Sequence, residues 1–86
     1  MPGSLEKVGE ISHYFTKIGV AVVELTSPLK VGDRIAVKGM TTSFEQNVGS
    51  MQVEHESIEA AKAGDSVGMK VVDRVRKGDI VYRLLE

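Results

Sequence analysis

One short segment combines imidazole, aromatic and basic side chains, the residue types that proteins use to bind single-stranded RNA. It reads Ser12-His13-Tyr14-Phe15-Thr16-Lys17 and holds two of the chain's four aromatic residues. Aromatic rings stack on unpaired bases, while a lysine contacts the phosphates. We therefore expect His13, Tyr14 and Lys17 to form a candidate contact with RNA or with another partner. The alternative is that Tyr14 only covers one end of the fold.

A second candidate contact is the basic run Arg74-Val75-Arg76-Lys77. If this segment is extended, Arg74 and Arg76 lie on the same side of the chain, because side chains alternate along extended backbone. Two guanidinium groups placed in this way can bind a phosphate through paired hydrogen bonds. Arg74, Arg76 and Lys77 are thus candidate partner-binding or RNA-binding residues, and a solvated loop without function is the alternative.

The polar residues lack the spacing of a catalytic or metal site. His13 and His55 are far apart in the sequence, and Ser12 and His13 are neighbours that point to opposite faces of a strand. No cysteine is present, and there is no Gly-x-x-x-x-Gly-Lys-Ser/Thr loop to bind nucleotide phosphates. The sequence therefore predicts no cofactor, no metal, no direct GTP site and a chain that is not an enzyme.

Length and composition predict one small domain. The 86 residues are 42% hydrophobic and 27% charged, and the net charge of −1 argues against a protein dedicated to duplex nucleic acid. The N-terminus lacks the pattern of a signal peptide, and the longest apolar run is too short to span a bilayer. We expect a cytoplasmic protein without membrane contact, with a flexible segment at 1–6 and one domain at 7–86.

Short alternating runs separated by turn residues predict an all-β fold. The expected strands are 7–12, with a bend or bulge at Gly9, and then 18–25, 34–38, 42–48, 67–72 and 80–85. The run Val20–Val23 is apolar on both faces, so it should be central, or should join copies of the chain into a homo-oligomer. The alternation slips at Gly49, which predicts a β-bulge, and Ser57–Gly64 predicts at most one short helical turn.

Three Gly-Asp pairs, each leading into a strand, indicate tight turns. They are Gly32-Asp33, Gly64-Asp65 and Gly78-Asp79. Glycine supplies the positive φ that such turns require, and the aspartate can bond nearby backbone amides. Turns at this spacing favour a Greek key of short strands, and closing the strands into a barrel would remove their exposed edges.

The ordered set of motifs resembles the second domain of elongation factor Tu and its relatives among the translation-factor GTPases. The resemblance covers residues 8–82 and is carried by Val22–Leu25, Leu29–Ile35, Val48–Val53, Ala63–Met69 and Val75–Val81. It implies a closed six- to seven-stranded antiparallel Greek-key barrel, with Phe15 at the position of a core phenylalanine. It also implies that the ribosome, RNA or a translation-related protein is the partner.

The chain also resembles the accessory barrel of U32 peptidase-like and RNA-hydroxylation proteins. Three hypotheses for function remain. The leading one is a stand-alone, non-catalytic binding module associated with translation or RNA, which docks a protein or ribonucleoprotein. The second is an accessory subunit of an RNA-modifying or U32 peptidase-like enzyme, and the third is a structural homo-oligomer.

Overall fold

The structure of the chain is a computed structural model that describes residues 4–85. These residues contain strands and turns and no helix. The ten strands are β1 (Ser4–Phe15), β2 (Val20–Leu25), β3 (Leu29–Lys30), β4 (Arg34–Lys38), β5 (Ser43–Asn47), β6 (Met51–Val53), β7 (Glu56–Ile58), β8 (Ala60–Ala61), β9 (Ser66–Lys70) and β10 (Ile80–Leu85).

Eight of the strands form one sheet in the order β5-β4-β10-β1-β2-β9-β6-β7, and β3 pairs with β8 in a second, two-stranded sheet. Every pairing in the described residues is antiparallel. The prediction of an all-β antiparallel fold is therefore confirmed. The finer prediction of a closed six- to seven-stranded Greek-key barrel is not shown, because the pairings leave β5 and β7 as the two ends of the large sheet.

The two ends of the large sheet nevertheless lie close together. β5 ends at Asn47 and β6 begins at Met51, although β5 is the first of the eight strands in the sheet order and β6 is the seventh. Four peptide units reach about 14 Å at most when fully extended. The sheet must therefore curl until its ends approach each other.

A single apolar core lies on the inner face of this curled sheet. Its large, fully buried side chains come from most of the strands: Val8, Ile11, Val23, Leu29, Ile35, Val37, Val48, Met51, Val67, Met69 and Val81. In β2, Ala21 and Val23 are buried, whereas Val20 and Val22 are half-buried on the opposite face. The expected central position of this strand is confirmed, since β1 and β9 flank it.

The prediction of a β-bulge at Gly49 is wrong. The slip in alternation there marks the passage of the chain from β5 to β6, the first and the seventh strands in the sheet order. The bulges lie instead in β1, where the register shifts between Lys7 and Gly9 and again between Ile11 and His13. The expected irregularity at Gly9 is thus confirmed. A Cβ there would lie 2.7 Å from the carbonyl oxygen of Glu24.

The prediction of a helical turn at Ser57–Gly64 is also wrong. Ile58 pairs with Met51, and Ala61 pairs with Leu29, so the segment forms β7 and β8. A two-turn helix gains too few hydrogen bonds to compete with this strand pairing. At the N-terminus, residues 1–3 of the expected flexible segment lie outside the described residues, while residues 4–6 belong to β1 and pair with β10.

The three Gly-Asp turns share one geometry. Gly32, Gly64 and Gly78 have φ of 99°, 95° and 96°, as predicted for these positions. In each turn the aspartate Oδ2 accepts a hydrogen bond from an amide: Lys30 N at 3.1 Å, Lys62 N at 3.1 Å and Arg76 N at 2.9 Å. The bonded amide lies three residues before the aspartate and not beyond it as expected, so each carboxylate closes its own turn.

Candidate functional site

The outer face of the sheet carries an open apolar groove across β1, β2, β9 and β6. It has a volume of about 480 Å³. We define the outer-face groove by its lining residues: Phe15, Ile18, Val20, Val22, Gln52, Glu54, His55, Ser66 and Gly68. These residues come from three separate stretches of the chain, 15–22, 52–55 and 66–68, and strand register brings the three together.

Missing side-chain volume at one position makes the groove concave. Gly68 lies between Val22 on β2 and Gln52 on β6, and a Cβ there would lie 3.4 Å from a methyl group of Val20. The walls remain open to solvent, since Phe15 is 46% exposed and Ile18 58% exposed. An apolar depression with exposed walls is a candidate surface for contact with another molecule.

Charge is distributed unevenly around the outer-face groove. At one end, Phe15 pairs with Val20 and Val20 pairs with Lys70 across the strands. At the other end Glu24 lies opposite Ser66, whose hydroxyl donates a hydrogen bond of 2.7 Å to the Glu24 carboxylate. The groove is therefore apolar and basic at one end and acidic at the other.

The β6–β7 hairpin forms one wall of the groove and is strained. Its two central residues, Glu54 and His55, have φ of 51° and 68°. Two-residue hairpins favour Asn-Gly at such positions, because other side chains clash with the backbone in the left-handed region. The turn places Glu54 and His55 beside the groove.

The predicted residues His13, Tyr14 and Lys17 lie at the end of the β1–β2 hairpin, in a depression of about 360 Å³ formed by residues 13–18. His13 and Lys17 are exposed, and the His13 ring contacts the Phe15 ring edge-on, with centroids 4.4 Å apart. Tyr14 packs against the core. The implied core position of Phe15 is wrong, because the bulge before His13 directs Phe15 to the outer face.

The predicted residues Arg74, Arg76 and Lys77 are exposed in the loop between β9 and β10. Arg74 and Arg76 line a depression of about 190 Å³ together with residues of the β4–β5 turn, and Lys77 does not line it. The structure thus places the two arginines together. The aromatic segment lines different depressions.

Sequence reasoning missed most of the outer-face groove. Val20 and Val22 belong to the strand that the sequence predicts to be apolar on both faces, but Gln52 and Ser66 give no signal by themselves. Residues on neighbouring strands become neighbours in space only through register. The one available signal was the small residue at position 68 within a strand, since an interior glycine often marks the close approach of another group.

A group of ionic contacts around Arg83 lies outside the outer-face groove and the two smaller depressions. Arg83 donates hydrogen bonds to Glu6 at 2.7 Å, to Asp33 at 3.3 Å and to the carbonyl oxygen of Pro28 at 2.7 Å. The hydrogen bond to Glu6 is the largest cause that raises the pKa of Arg83 above its ordinary value. These contacts join β10, β1 and the β2–β4 connection, and they are structural.

Within residues 4–85, no group of histidine, aspartate and glutamate side chains is arranged to hold a metal ion. The same residues include no helix long and apolar enough to cross a membrane.

Comparison with curated proteins shows similarity to proteases. The chain is 43% identical over 81 residues to an uncharacterized protease of Methanocaldococcus jannaschii and 36% identical over 78 residues to a collagenase of Porphyromonas gingivalis. These alignments cover 93% and 88% of the chain but only 20% and 22% of the two relatives. The chain therefore spans about a fifth of the length of the curated relatives it matches. No protein-family model matches the chain.

These findings correct two expectations. The prediction that the chain is not an enzyme is wrong, because the relatives that it matches are named as a protease and a collagenase. The preferred resemblance to elongation factor Tu is not shown, and association with translation or RNA gains no support.

Comparison with solved structures identifies the fold. Two crystal structures of the C-terminal domain of a putative U32 peptidase from Geobacillus thermoleovorans match with TM-scores of 0.84 and 0.85. The identities are 22% and 21%, and the matches cover 88% and 91% of this chain and 96% and 91% of the solved chains. The chain has the fold of a U32 peptidase C-terminal domain, as the resemblance to the accessory barrel of U32 peptidase-like proteins implies, and it is similar in sequence to part of a protease.

Proposed function

We propose that the chain is an accessory module of a U32 peptidase-like protein and that it docks the peptidase portion through the outer-face groove. The observation that carries this proposal is the groove itself, an open apolar depression with Phe15 and Ile18 about half exposed. The size of the matched relatives supports this choice of partner, because about four fifths of each lies outside the similarity. We place the activity that their protease names describe in that unmatched part.

The geometry of the groove favours an extended or irregular protein segment as its contact. Its floor is the face of a rigid sheet, and its apolar residues lie in rows fixed by strand pairing. Apolar anchors of this kind, surrounded by polar groups, are typical of protein–protein contacts. We propose His13 and Lys17 as polar rim residues of this contact, because they adjoin Phe15 and Ile18 at its apolar end.

We also propose that the large sheet closes into a barrel and that Gln46 completes the closure. Gln46 on β5 is 6% exposed. Its side-chain amide donates a hydrogen bond of 2.9 Å to Lys70 O and accepts one of 2.7 Å from Val72 N. These are the two bonds that a paired strand would make. A closed barrel would hold the groove strands in fixed positions.

Affinity purification from the native host tests the docking proposal. The tagged 86-residue chain is compared with a groove variant, Phe15→Asp with Ile18→Asp, and a control variant, Met40→Asp with Val31→Asp. Met40 and Val31 are also exposed apolar residues but lie outside the groove. We expect a U32 peptidase-like protein, identified by mass spectrometry, with the original chain and the control, and at least tenfold less with the groove variant.

Two results would contradict the proposal. One is recovery of the peptidase-like protein in equal amounts with the groove variant. The other is recovery of ribosomes or RNA alone, in a form that nuclease removes, which would restore the translation hypothesis. Sedimentation of the purified chain distinguishes self-association, because a dimer lost in the groove variant would assign the groove to a second copy of the chain.

A further inference from the structure

Backbone hydrogen bonds fix the β9–β10 loop that carries Arg74 and Arg76. Val75 between them is 2% exposed and belongs to the core, so the two arginines project from the same side of the chain. The loop is bonded at both ends: Val71 N donates to Gly19 O at 2.9 Å, and Gly78 N donates to Ile11 O at 2.8 Å. The backbone that carries the two arginines is therefore bonded to the rest of the fold on both sides.

The β4–β5 turn supplies hydroxyl groups on the opposite side of the same depression. Thr41, Thr42 and Ser43 line it together with the two arginines. The Lys38 ammonium group adds a further positive charge, since Nζ lies 3.4 Å from Ser43 Oγ. In the described part of the chain, Arg34 and Arg83 form ion pairs, whereas none involves Arg74 or Arg76.

The local charge suits one carboxylate better than a polyanion. Two carboxylates adjoin the three cations: Asp73, which lines the depression, and Asp79, which is buried beside Gly39. Asp73 accepts a hydrogen bond from Arg74 N at 2.7 Å, and Asp79 accepts one from Arg76 N at 2.9 Å. The neighbourhood is thus close to one net positive charge. A chain of phosphates would meet repulsion from these acids and from a molecule with a net charge of −1.

We propose that this depression is a binding site for a single carboxylate side chain of an acidic peptide segment. The two guanidinium groups bind the carboxylate oxygens through paired, charge-assisted hydrogen bonds, and the turn hydroxyls donate to the same oxygens. The volume of about 190 Å³ accommodates a glutamate side-chain end and excludes a folded domain. This site is separate from the outer-face groove and does not depend on the docking proposal.

NMR titration of the ¹⁵N-labelled 86-residue chain tests the site. The probe is the peptide acetyl-Gly-Glu-Gly-amide at constant ionic strength, and the matched control is acetyl-Gly-Gln-Gly-amide, which has the same shape without the charge. We expect saturable shifts of the Arg74 and Arg76 Nε–Hε signals and of the Thr41 and Ser43 amides. The glutamine peptide should bind at least tenfold more weakly, and added salt should weaken the glutamate peptide.

Variants identify the residues responsible. Arg74→Gln with Arg76→Gln should weaken binding at least tenfold, whereas Arg34→Gln, at the other end of the β4–β5 pair, should change it less than twofold. If the double variant loses spectral dispersion, Arg74→Lys with Arg76→Lys replaces it; charge is retained, but the paired hydrogen bonds are lost, so binding must still weaken.

Three outcomes would overturn the proposal. The first is the absence of saturable shifts at the arginines and the turn. The second is equal binding of the glutamate and glutamine peptides. The third is a short oligouridylate that binds the same residues more tightly than the glutamate peptide, since this result would assign the site to RNA phosphates.

Discussion

Gln46 shows at the residue scale how one side chain can replace a strand pairing. Its amide group has the same donor and acceptor as a peptide unit, and it bonds both the carbonyl of residue 70 and the amide of residue 72. Because Gln46 is 6% exposed, water cannot replace either bond. The link between β5 and the end of β9 therefore depends on an uncharged amide at this position.

Substituting Gln46→Glu tests this dependence. The carboxylate keeps an acceptor for Val72 N but places negative charge against the carbonyl of Lys70, so the free energy of unfolding at pH 7 should fall by about 1–3 kcal/mol. A protonated carboxyl again donates and accepts like the amide. The deficit relative to the original chain should therefore shrink as the pH is lowered from 7 to 4, as urea unfolding at each pH would measure. A deficit that stays constant or grows would contradict the role of Gln46.

Gly39 is a second single-residue constraint, because the Asp79 carboxylate occupies the place of its missing side chain. We expect Gly39→Ala to lower the free energy of unfolding by about 1–3 kcal/mol through overpacking. The control is Gly49→Ala, where a Cβ would meet nothing within 4 Å and φ is not positive. That change should be neutral or should stabilise by about 0.4–1 kcal/mol. Equal effects in thermal unfolding would show that steric contact at Gly39 is unimportant.

At the scale of elements, the β6–β7 hairpin uses residues that oppose its own turn. Three residue pairs, Met51 with Ile58, Gln52 with Ser57 and Val53 with Glu56, fix a two-residue connection. Glu54 and His55 must then adopt positive φ. Strain of this kind persists when the flanking structure enforces it, and it is frequent at contact sites. This agrees with the position of both residues at the outer-face groove.

Relieving this strain should stabilise the domain. Glu54→Asn combined with His55→Gly supplies the residues that the turn prefers, and we expect a gain of about 1 kcal/mol in the free energy of unfolding. His55→Ala serves as the control, because alanine keeps the Cβ that causes the strain and should give no gain. If both variants unfold at the same urea concentration as the original chain, the hairpin is not strained in solution.

At the scale of the whole molecule, Arg83 ties the last strand to the first and to the β2–β4 connection. Its guanidinium group contacts Glu6, Asp33 and Pro28, and its side chain is 22% exposed. The contacts raise its pKa above the ordinary value. For a base with a raised pKa, stabilisation is complete below the ordinary value and is lost only as the pH rises through the raised one. The contribution should therefore be constant between pH 5 and 9.

Arg83→Lys should lower the free energy of unfolding by about 1–2 kcal/mol, because lysine cannot reproduce the paired geometry toward three acceptors. The comparison is Arg34→Lys, since Arg34 makes an exposed ion pair with Glu45 at 3.6 Å. An exposed pair contributes about 0–1 kcal/mol, so the loss there should be small. Equal losses in urea unfolding would show that Arg83 does not act as a cross-link.

The sequence predicted the turns and most strands because their signals are local. Gly32, Gly64 and Gly78 have positive φ as expected, and β4 and β10 begin where the alternating pattern begins. The prediction of a helical turn at Ser57–Gly64 failed because this segment pairs with other strands, and that pairing outweighs a weak helical preference. The implied core position of Phe15 is wrong because a bulge in β1 redirects its side chain, and no local pattern signals that bulge.

Among the candidate site residues, the arrangement that depends on local sequence was predicted and the arrangement that depends on strand pairing was not. Arg74 and Arg76 were predicted to share one side, and the structure places both in one depression, because alternation along a short extended segment is a local property. The aromatic segment was predicted as a contact in itself, whereas Phe15 adjoins Val20 and Val22 only through the pairing of β1 with β2. Whether His13, Tyr14, Lys17 and Lys77 bind a partner stays a prediction.

By itself, the sequence determined that the chain forms short antiparallel strands joined by glycine–aspartate turns, because strand alternation and positive φ are encoded within a few residues. Only the tertiary structure decided where the outer-face groove lies and how near β5 comes to the end of β9. Both depend on register between distant strands and on the contacts of Gln46 across the curl. Register sums many weak cross-strand contacts, so no single stretch of sequence specifies it.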